Sequence, residues 1–375
     1  MIEQGRQALE KQDEEAFKRL YRKAHDNNDH QALHALGKLA LEKGLYQEAS
    51  VCFANESMAT SAGDATPYFW RNVAELRFGG FYIVKDNCDK ALEKDESGNP
   101  KVKNLDKRME AQLHLQRAHA NLALSAIDTV QGSIEEAIRL YPATSKASFQ
   151  AFKRWLPIFR EDDKYFPSQS RFLAQAEYLN AVLLFMEGKV ENIAAICEQA
   201  INRFSDSEDL ALKIEILAFW ALAHCEGQQY DRSIQIAKAA LLVAGSSKAS
   251  KETLVTLHFC LAVSYSAQKK FTEAFQNFEN ALNNIHADPL LRQYILLHLG
   301  CCYRAAAKEQ PDRKISWYQS AETAFNEASK PLSNTSFRRG DHLVRCMLWS
   351  LGGNLKYAES PQTRLNGRIA RARIS

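Results

Sequence analysis

SYSAQKKFTEAFQNFENA, residues 264–281, sets Tyr265, Phe271, Ala274, Phe278 and Ala281 at helical spacing, with Leu261 and Ala262 one turn upstream. Apolar residues recurring at this period mark an amphipathic helix. The polar break at Gln268-Lys269-Lys270 separates two of them. Small residues stand where the two axes must approach, at Ala262 and Ala274. The stretch therefore predicts a helix, a tight turn and a second helix packed back on the first.

The same phasing recurs at least four more times. From Val255 the unit reads Leu261-Ala262, Tyr265, Phe271, Ala274, Phe278, Ala281. From Gln293 it reads Leu299-Gly300 and Tyr303, then about nine extra residues, Lys308 to Ser316, then Tyr318, Ala321, Phe325, Ala328 and a closing Pro331. From Ile214 it reads Trp220-Ala221, Tyr230, Ser233, Ala237, Ala240. From Ala174 it reads Asn180-Ala181, Gly188, Ile193, Cys197, Ala200. From His30 it reads Leu36-Gly37, Gly44, Tyr46, Ala49, Phe53. This pattern resembles tetratricopeptide repeats, and the helix Ala16–Ala24 with the following turn also resembles a Sel1-type repeat. The resemblance covers about Gln4 to Phe53 and Ala174 to Pro331. Unit starts at 174, 214, 255 and 293 are spaced 40, 41 and 38 residues apart, against a family period of 34. Longer second helices or connections absorb the difference.

The resemblance implies an all-α, right-handed α-solenoid of helical hairpins with an irregular middle segment and a C-terminal capping helix. It also implies that positions 2, 5, 9, 12 and 13 of each first helix line a concave side. Position 5 holds His34, Tyr178, Ala218, Phe259 and Leu297; position 9 holds Lys38, Val182, Leu222, Val263 and Cys301. Family members that clamp acidic peptide C-termini use Lys and Asn at such places, and no such clamp is expected here. A mostly apolar groove suits an amphipathic helix from a partner protein. It is equally open to this chain's own segment or to a second copy. The expected partner-binding residues are Tyr178, Val182, Phe185, Phe259, Val263, Tyr294, Leu297 and Arg304. The expected function is a non-catalytic scaffold (adaptor, chaperone or regulatory subunit) holding a protein or peptide partner, with homo-oligomerisation open.

Composition fits that reading. Of 375 residues 46% are hydrophobic, enough for a sizeable core, and only 9 Pro and 16 Gly are present, as suits a helical chain. A net charge of +3 does not announce a nucleic-acid binder. No apolar run is long enough for a membrane span, and the opening MIEQGRQALEKQDEEAF has no apolar signal core. Cys52, Cys88, Cys197, Cys225, Cys260, Cys301, Cys302 and Cys346 are scattered with no Cys-x-x-Cys, and read as reduced thiols in a cytoplasmic protein.

The expected organisation is N-terminal hairpins over 1–92, a polar loop or hinge over 93–107, an irregular aromatic-rich helical segment over 108–173, repeats over 174–335, a capping helix over 336–358 and a basic flexible tail over 359–375. Phasing is lost over 107–140. Segment 149–172 carries Phe149, Phe152, Trp155, Phe159, Tyr165, Phe166 and Phe172 interleaved with Lys153, Arg154, Arg160, Lys164 and Arg171. It reads as packing on a neighbouring hairpin, as a docking surface, or as a stacking platform for nucleic acid. The tail holds Arg364, Arg368, Arg371 and Arg373 against Glu359 alone. It reads as a solvated tail or as an arm for an acidic partner or nucleic acid. A nucleic-acid-associated factor using these two segments is the alternative function.

No P-loop, dinucleotide turn, Gly-x-Ser-x-Gly or His-Glu-x-x-His motif occurs. No catalytic residue, cofactor or metal is expected. His30 and His34 sit one turn apart without a third ligand and read as an ordinary pair. Cys302 is expected to pack and Cys301 to face the groove.

Overall fold

A computed structural model describes residues 1–11, 13–59, 63–141, 168–189, 192–204, 210–245, 249–285 and 289–330, together with Ile369 and Ala372. The expected capping helix, six of the seven aromatics of 149–172 and the tail arginines lie outside the described residues. Among the described residues the chain is all-α, with no strand and two isolated bridges, Asp64 with Lys103 and Lys94 with Pro100.

The chain divides into two compact units, Met1–Asp163 and Lys164–Ser375. The first holds α1 (Ile2–Glu10), α2 (Glu14–Asp26), α3 (His30–Glu42), α4 (Tyr46–Ala59), α5 (Ala65–Phe78), α6 (Phe81–Ala91), α7 (Lys107–Ala123) and α8 (Val130–Leu140). The second holds α9 (Gln169–Met186), α10 (Ile193–Asn202), α11 (Leu210–Glu226), α12 (Tyr230–Ala244), α13 (Lys251–Ala267), α14 (Phe271–Asn284), α15 (Pro289–Glu309) and α16 (Lys314–Ala328). Within each unit, helices neighbouring in sequence pack together, as do α3 with α4, α5 with α6, α7 with α8, and so on to α15 with α16. Short turns between packed helices make the pairs antiparallel.

Helix starts are written in the sequence. Asp13 accepts from the Ala16 amide at 2.8 Å, Asp29 from Ala32 at 2.9 Å and Asp106 from Met109 at 2.7 Å, each satisfying a first-turn N–H that has no helical partner. Ser168 and Ser250 do the same for α9 and α13.

One turn closes nearly every hairpin. Before α14, the Lys270 N–H donates to the Tyr265 carbonyl five residues back, with Lys269 left-handed at φ 61°. The same bond runs from Leu45 to Ala40, Gly80 to Glu75, Ala126 to Asn121, Lys189 to Leu184 and Gln229 to His224. The left-handed residues are then Gly44, Gly79, Ser125, Gly188 and Gln228. This Schellman-type closure satisfies carbonyls that the helix end leaves orphaned. Counted from His30, Ala174, Ile214 and Val255, the left-handed residue is in every case the fifteenth.

The small residues sit where the phasing put them. Ala181, Ala221, Ala262, Ala274 and Ala281 are fully buried. Glycine replaces alanine where an aromatic comes closer still. A Cβ on Gly300 would lie 2.5 Å from the Phe325 ring, and one on Gly37 would lie 2.7 Å from the Phe53 ring. Those rings fill the space a methyl group would need.

In the first unit, residues 107–140, expected to be helical without the repeat phasing, form the hairpin α7–α8, and α5–α6, within the 1–92 expected as hairpins, is another. The polar stretch 93–107 is exposed, as expected, but the helices on either side of it, α6 and α7, pack on each other. Its backbone is pinned, with Asp95 accepting from Ser97 and Asn99, and the Lys103 amide donating to the Gly63 carbonyl at 2.7 Å.

Candidate functional site

In the second unit the face expected to bind a partner is built from α9, α11, α13 and α15. Most of the side chains expected to line it are used in holding the helices together. Tyr178, Val182, Phe185, Phe259, Tyr294 and Leu297 are all buried; Val263 and Arg304 are half-buried. Phe219 on α11 takes the rings of Tyr178 and Phe185 edge-on at 5.6 and 5.7 Å. Phe259 on α13 meets Tyr294 at 5.3 Å and His298 at 5.1 Å on α15. Edge-to-face pairs at these distances add to the burial of each ring. Positions 5 and 6 of the repeat, joined by Tyr294 at position 2 and Phe185 at position 12, thus knit one first helix to the next. Phe259 and Leu297 are only 1% and 4% exposed, so aspartate at either would damage the core and could not report on binding alone.

What remains open is a strip along the later turns of α13 and α15. Val263 and Ser266 are half-buried and Ala267 is exposed on α13; Cys301 is exposed and Arg304 and Ala305 are half-buried on α15. The equivalent Val182, Phe185, Leu222 and Cys225 on α9 and α11 are covered. Cys302, beside Cys301, turns inward, where burial pushes its thiol up to about 11. Six of the seven described cysteines are buried free thiols.

In the first unit the corresponding residues are already engaged. His34 Nδ1 lies 3.0 Å from Glu56 Oε2, and its ring packs edge-on to Phe53 and Trp70. Lys38 places its ammonium 4.8 Å from the centre of the Trp70 ring, a cation–π contact. Among the described residues no group of three or more His, Cys, Asp or Glu could hold a metal. No helix there is long and apolar enough to cross a membrane.

Several buried polar groups of the first unit pair with one another. Ser50 Oγ donates to Glu75 Oε1 at 2.5 Å, but both residues are sealed in the core. Asn72 donates to Gln116 at 3.0 Å and accepts from Asn87 at 2.9 Å, an amide network that fills the interface of α5, α6 and α7. A depression of about 460 Å³ lies over α10, lined by Ala195, Glu198, Gln199, Asn202 and Arg203. Its cation is committed elsewhere, since Arg203 forms a forked pair with Glu177 at 2.6 to 2.8 Å.

Sequence reasoning missed one aromatic cluster, which lies between first and second helices. Phe275, Tyr303 and Trp317 stack half-exposed across α14, α15 and α16, with ring centres 4.5, 5.0 and 5.6 Å apart. Tyr303 and the insertion were noted, whereas Trp317 stands just past the insertion, where the register was broken. Of the segment 149–172, Phe172 is described and is fully buried.

No family model matches the chain, and no curated protein does. Two solved structures align over most of it. One is the TPR2AB domain of yeast Sti1, in a complex described as pHSP90. It is 12% identical, covering 78% of this chain and 98% of that one, with a TM-score of 0.26. The other is the TPR domain of P58(IPK), 14% identical, covering 92% and 98%, with a TM-score of 0.25. Likeness this remote carries nothing over to the present chain, whose hairpin array rests on its own helices and turns.

Proposed function

We propose that the chain is a non-catalytic scaffold that holds a partner protein along the open strip of α13 and α15. The observation that carries this reading is the contrast along one face. Phe259, Tyr294 and Leu297 on α13 and α15 are buried, while Val263, Ser266, Cys301 and Arg304, further along the same helices, are half-buried or exposed. An apolar strip edged by one guanidinium suits a helix that lays down aliphatic side chains and turns a carbonyl or carboxylate toward the cation. Stacked hairpins present such a face rigidly.

The test is residue-resolved. A photoactivatable amino acid at Val263 or Cys301 should trap the partner in cells. The same group at Leu242, which is 81% exposed on α12, should not. Val263→Asp and Arg304→Glu should each weaken capture roughly tenfold, the size expected for a contact at the centre of an interface. Equal trapping from Leu242 would place the interface elsewhere and end this reading.

A further inference from the structure

Where α11 meets α13, two thiols stand in the places that two phenyl rings hold one repeat earlier. Counted from Ala174 and Ile214, Phe185 and Cys225 are the twelfth residues; counted from Ile214 and Val255, Phe219 and Cys260 are the sixth. Phe185 on α9 meets Phe219 on α11 across that contact. One repeat on, Cys225 on α11 is hydrogen-bonded to Cys260 on α13. Smaller side chains let two axes come together, and α11 and α13 lie against each other over more of their length than α9 and α11 or α13 and α15 do. Close backbone approach with the two sulfurs already in contact is the geometry a disulfide requires.

The two sulfurs are not equivalent. Cys260 is fully buried; burial first, then its bond to Cys225, hold its thiol well above the ordinary value of 9.0. Cys225 keeps 5% of its surface open, and its sulfur accepts a hydrogen bond from Ser264 Oγ at 3.9 Å. A small oxidant therefore meets Cys225 first, and Cys260 is the thiol waiting beside it.

We infer that Cys225 and Cys260 form a modification site, a thiol pair that hydrogen peroxide converts into a disulfide tying α11 to α13. Cys225, deprotonated, attacks one peroxide oxygen; the O–O bond breaks, and hydroxide leaves and takes up the proton as water. The sulfenic acid left on Cys225 is then attacked by the Cys260 sulfur. The S–O bond breaks, the S–S bond forms, and the second oxygen departs as water with the Cys260 proton. Two electrons pass from the sulfurs to the peroxide, and a dithiol reductant returns them. The link fixes α13, the helix that carries Val263 and Ser266, against α11. Its formation does not depend on the scaffold reading.

The test uses the full-length chain, exposed to hydrogen peroxide until Cys301, which is exposed, is fully oxidised. Remaining thiols are alkylated as the protein is unfolded, and its peptides are read by mass spectrometry without reductant. The expected product is a pair of peptides joined through Cys225 and Cys260, lighter by the two hydrogens lost and separated by dithiothreitol. Cys260→Ala removes the second thiol, so dimedone should label Cys225 roughly tenfold more than in the parent, where the sulfenic acid is consumed. Cys225→Ser should leave Cys260 reduced. Both thiols still alkylated once Cys301 is spent would overturn the inference. So would a link from either to another cysteine, or between two copies of the chain. The result on the parent decides the matter even if a variant fails to fold.

Discussion

Glu75 shows what one misplaced charge does to a helical hairpin. In the unit from Val255 the turn-closing carbonyl belongs to Tyr265; in the α5–α6 hairpin it belongs to Glu75, whose carboxylate is thereby carried into the core. Burial holds the carboxyl above its ordinary value of 4.5, while Ser50's hydrogen bond and the Arg71 guanidinium, 3.6 Å away, pull the other way. A carboxyl whose folded pKa is raised keeps its proton in the folded chain at a pH where the unfolded chain has lost it. Its contribution to stability is therefore present at low pH and lost as pH rises through the folded value. Glu75→Gln keeps an acceptor for Ser50 and removes the charge. The variant should melt above the parent at neutral pH, with the gap closing as pH falls through the raised folded value and gone once pH is below the ordinary value of 4.5. Melting curves across pH 3 to 8 would check this, and a gap independent of pH would show that burial of the charge is not the cause.

At the scale of the helix pair, the closing turn demands one left-handed residue, and four described turns supply it with a side chain: Asn28, Ser125, Gln228 and Lys269. A Cβ in that conformation costs about 1 kcal/mol, partly offset because glycine makes the unfolded chain looser. In urea unfolding, Gln228→Gly and Lys269→Gly should each raise the unfolding free energy slightly, by up to about 1 kcal/mol, and Gly79→Ala, at φ 95°, should lower it by about as much. The turn also explains what was legible. Where Leu, Ala and Tyr occupy the seventh, eighth and eleventh places, as at Leu261, Ala262 and Tyr265, the hairpin is readable from composition alone. In α5 those places hold Arg71, Asn72 and Glu75, and in α7 they hold Arg117, Ala118 and Asn121. These side chains pack by hydrogen bonding, as Asn121 does to Thr129 at 2.8 Å and Arg117 to Ser133 at 3.2 Å. An apolar pattern cannot register such partners, because they are fixed only once the helices meet. The three-residue 3-10 turn Ile127–Thr129 then displaces the second helix and breaks the count. The candidate face failed differently. Its periodicity was plain, but periodicity gives the direction of a side chain and not whether the next helix covers it, so Phe259 and Val263 looked alike.

Over the whole chain, both units close over apolar cores, but α5 to α8 add a buried polar network. The α13–α14 pair closes over Leu261, Phe271 and Phe278, whereas α5 to α8 set Asn72, Asn87, Gln116 and Asn121 beside Phe69, Trp70, Phe81 and Ile134. A buried Phe contributes about 1.5–3 kcal/mol, and a satisfied hydrogen bond about 1 net. Amides of α13 and α14 should therefore exchange with deuterium more slowly than those of α5 to α8, as mass spectrometry of peptic fragments would measure; the reverse order would mean the polar network is the stronger cement. The recurrent turn bears on how the molecule is made. Each closing bond joins residues five apart and needs nothing downstream. A nascent chain leaving the ribosome can lock every corner as it emerges, so that each rod waits only for its immediate successor before settling.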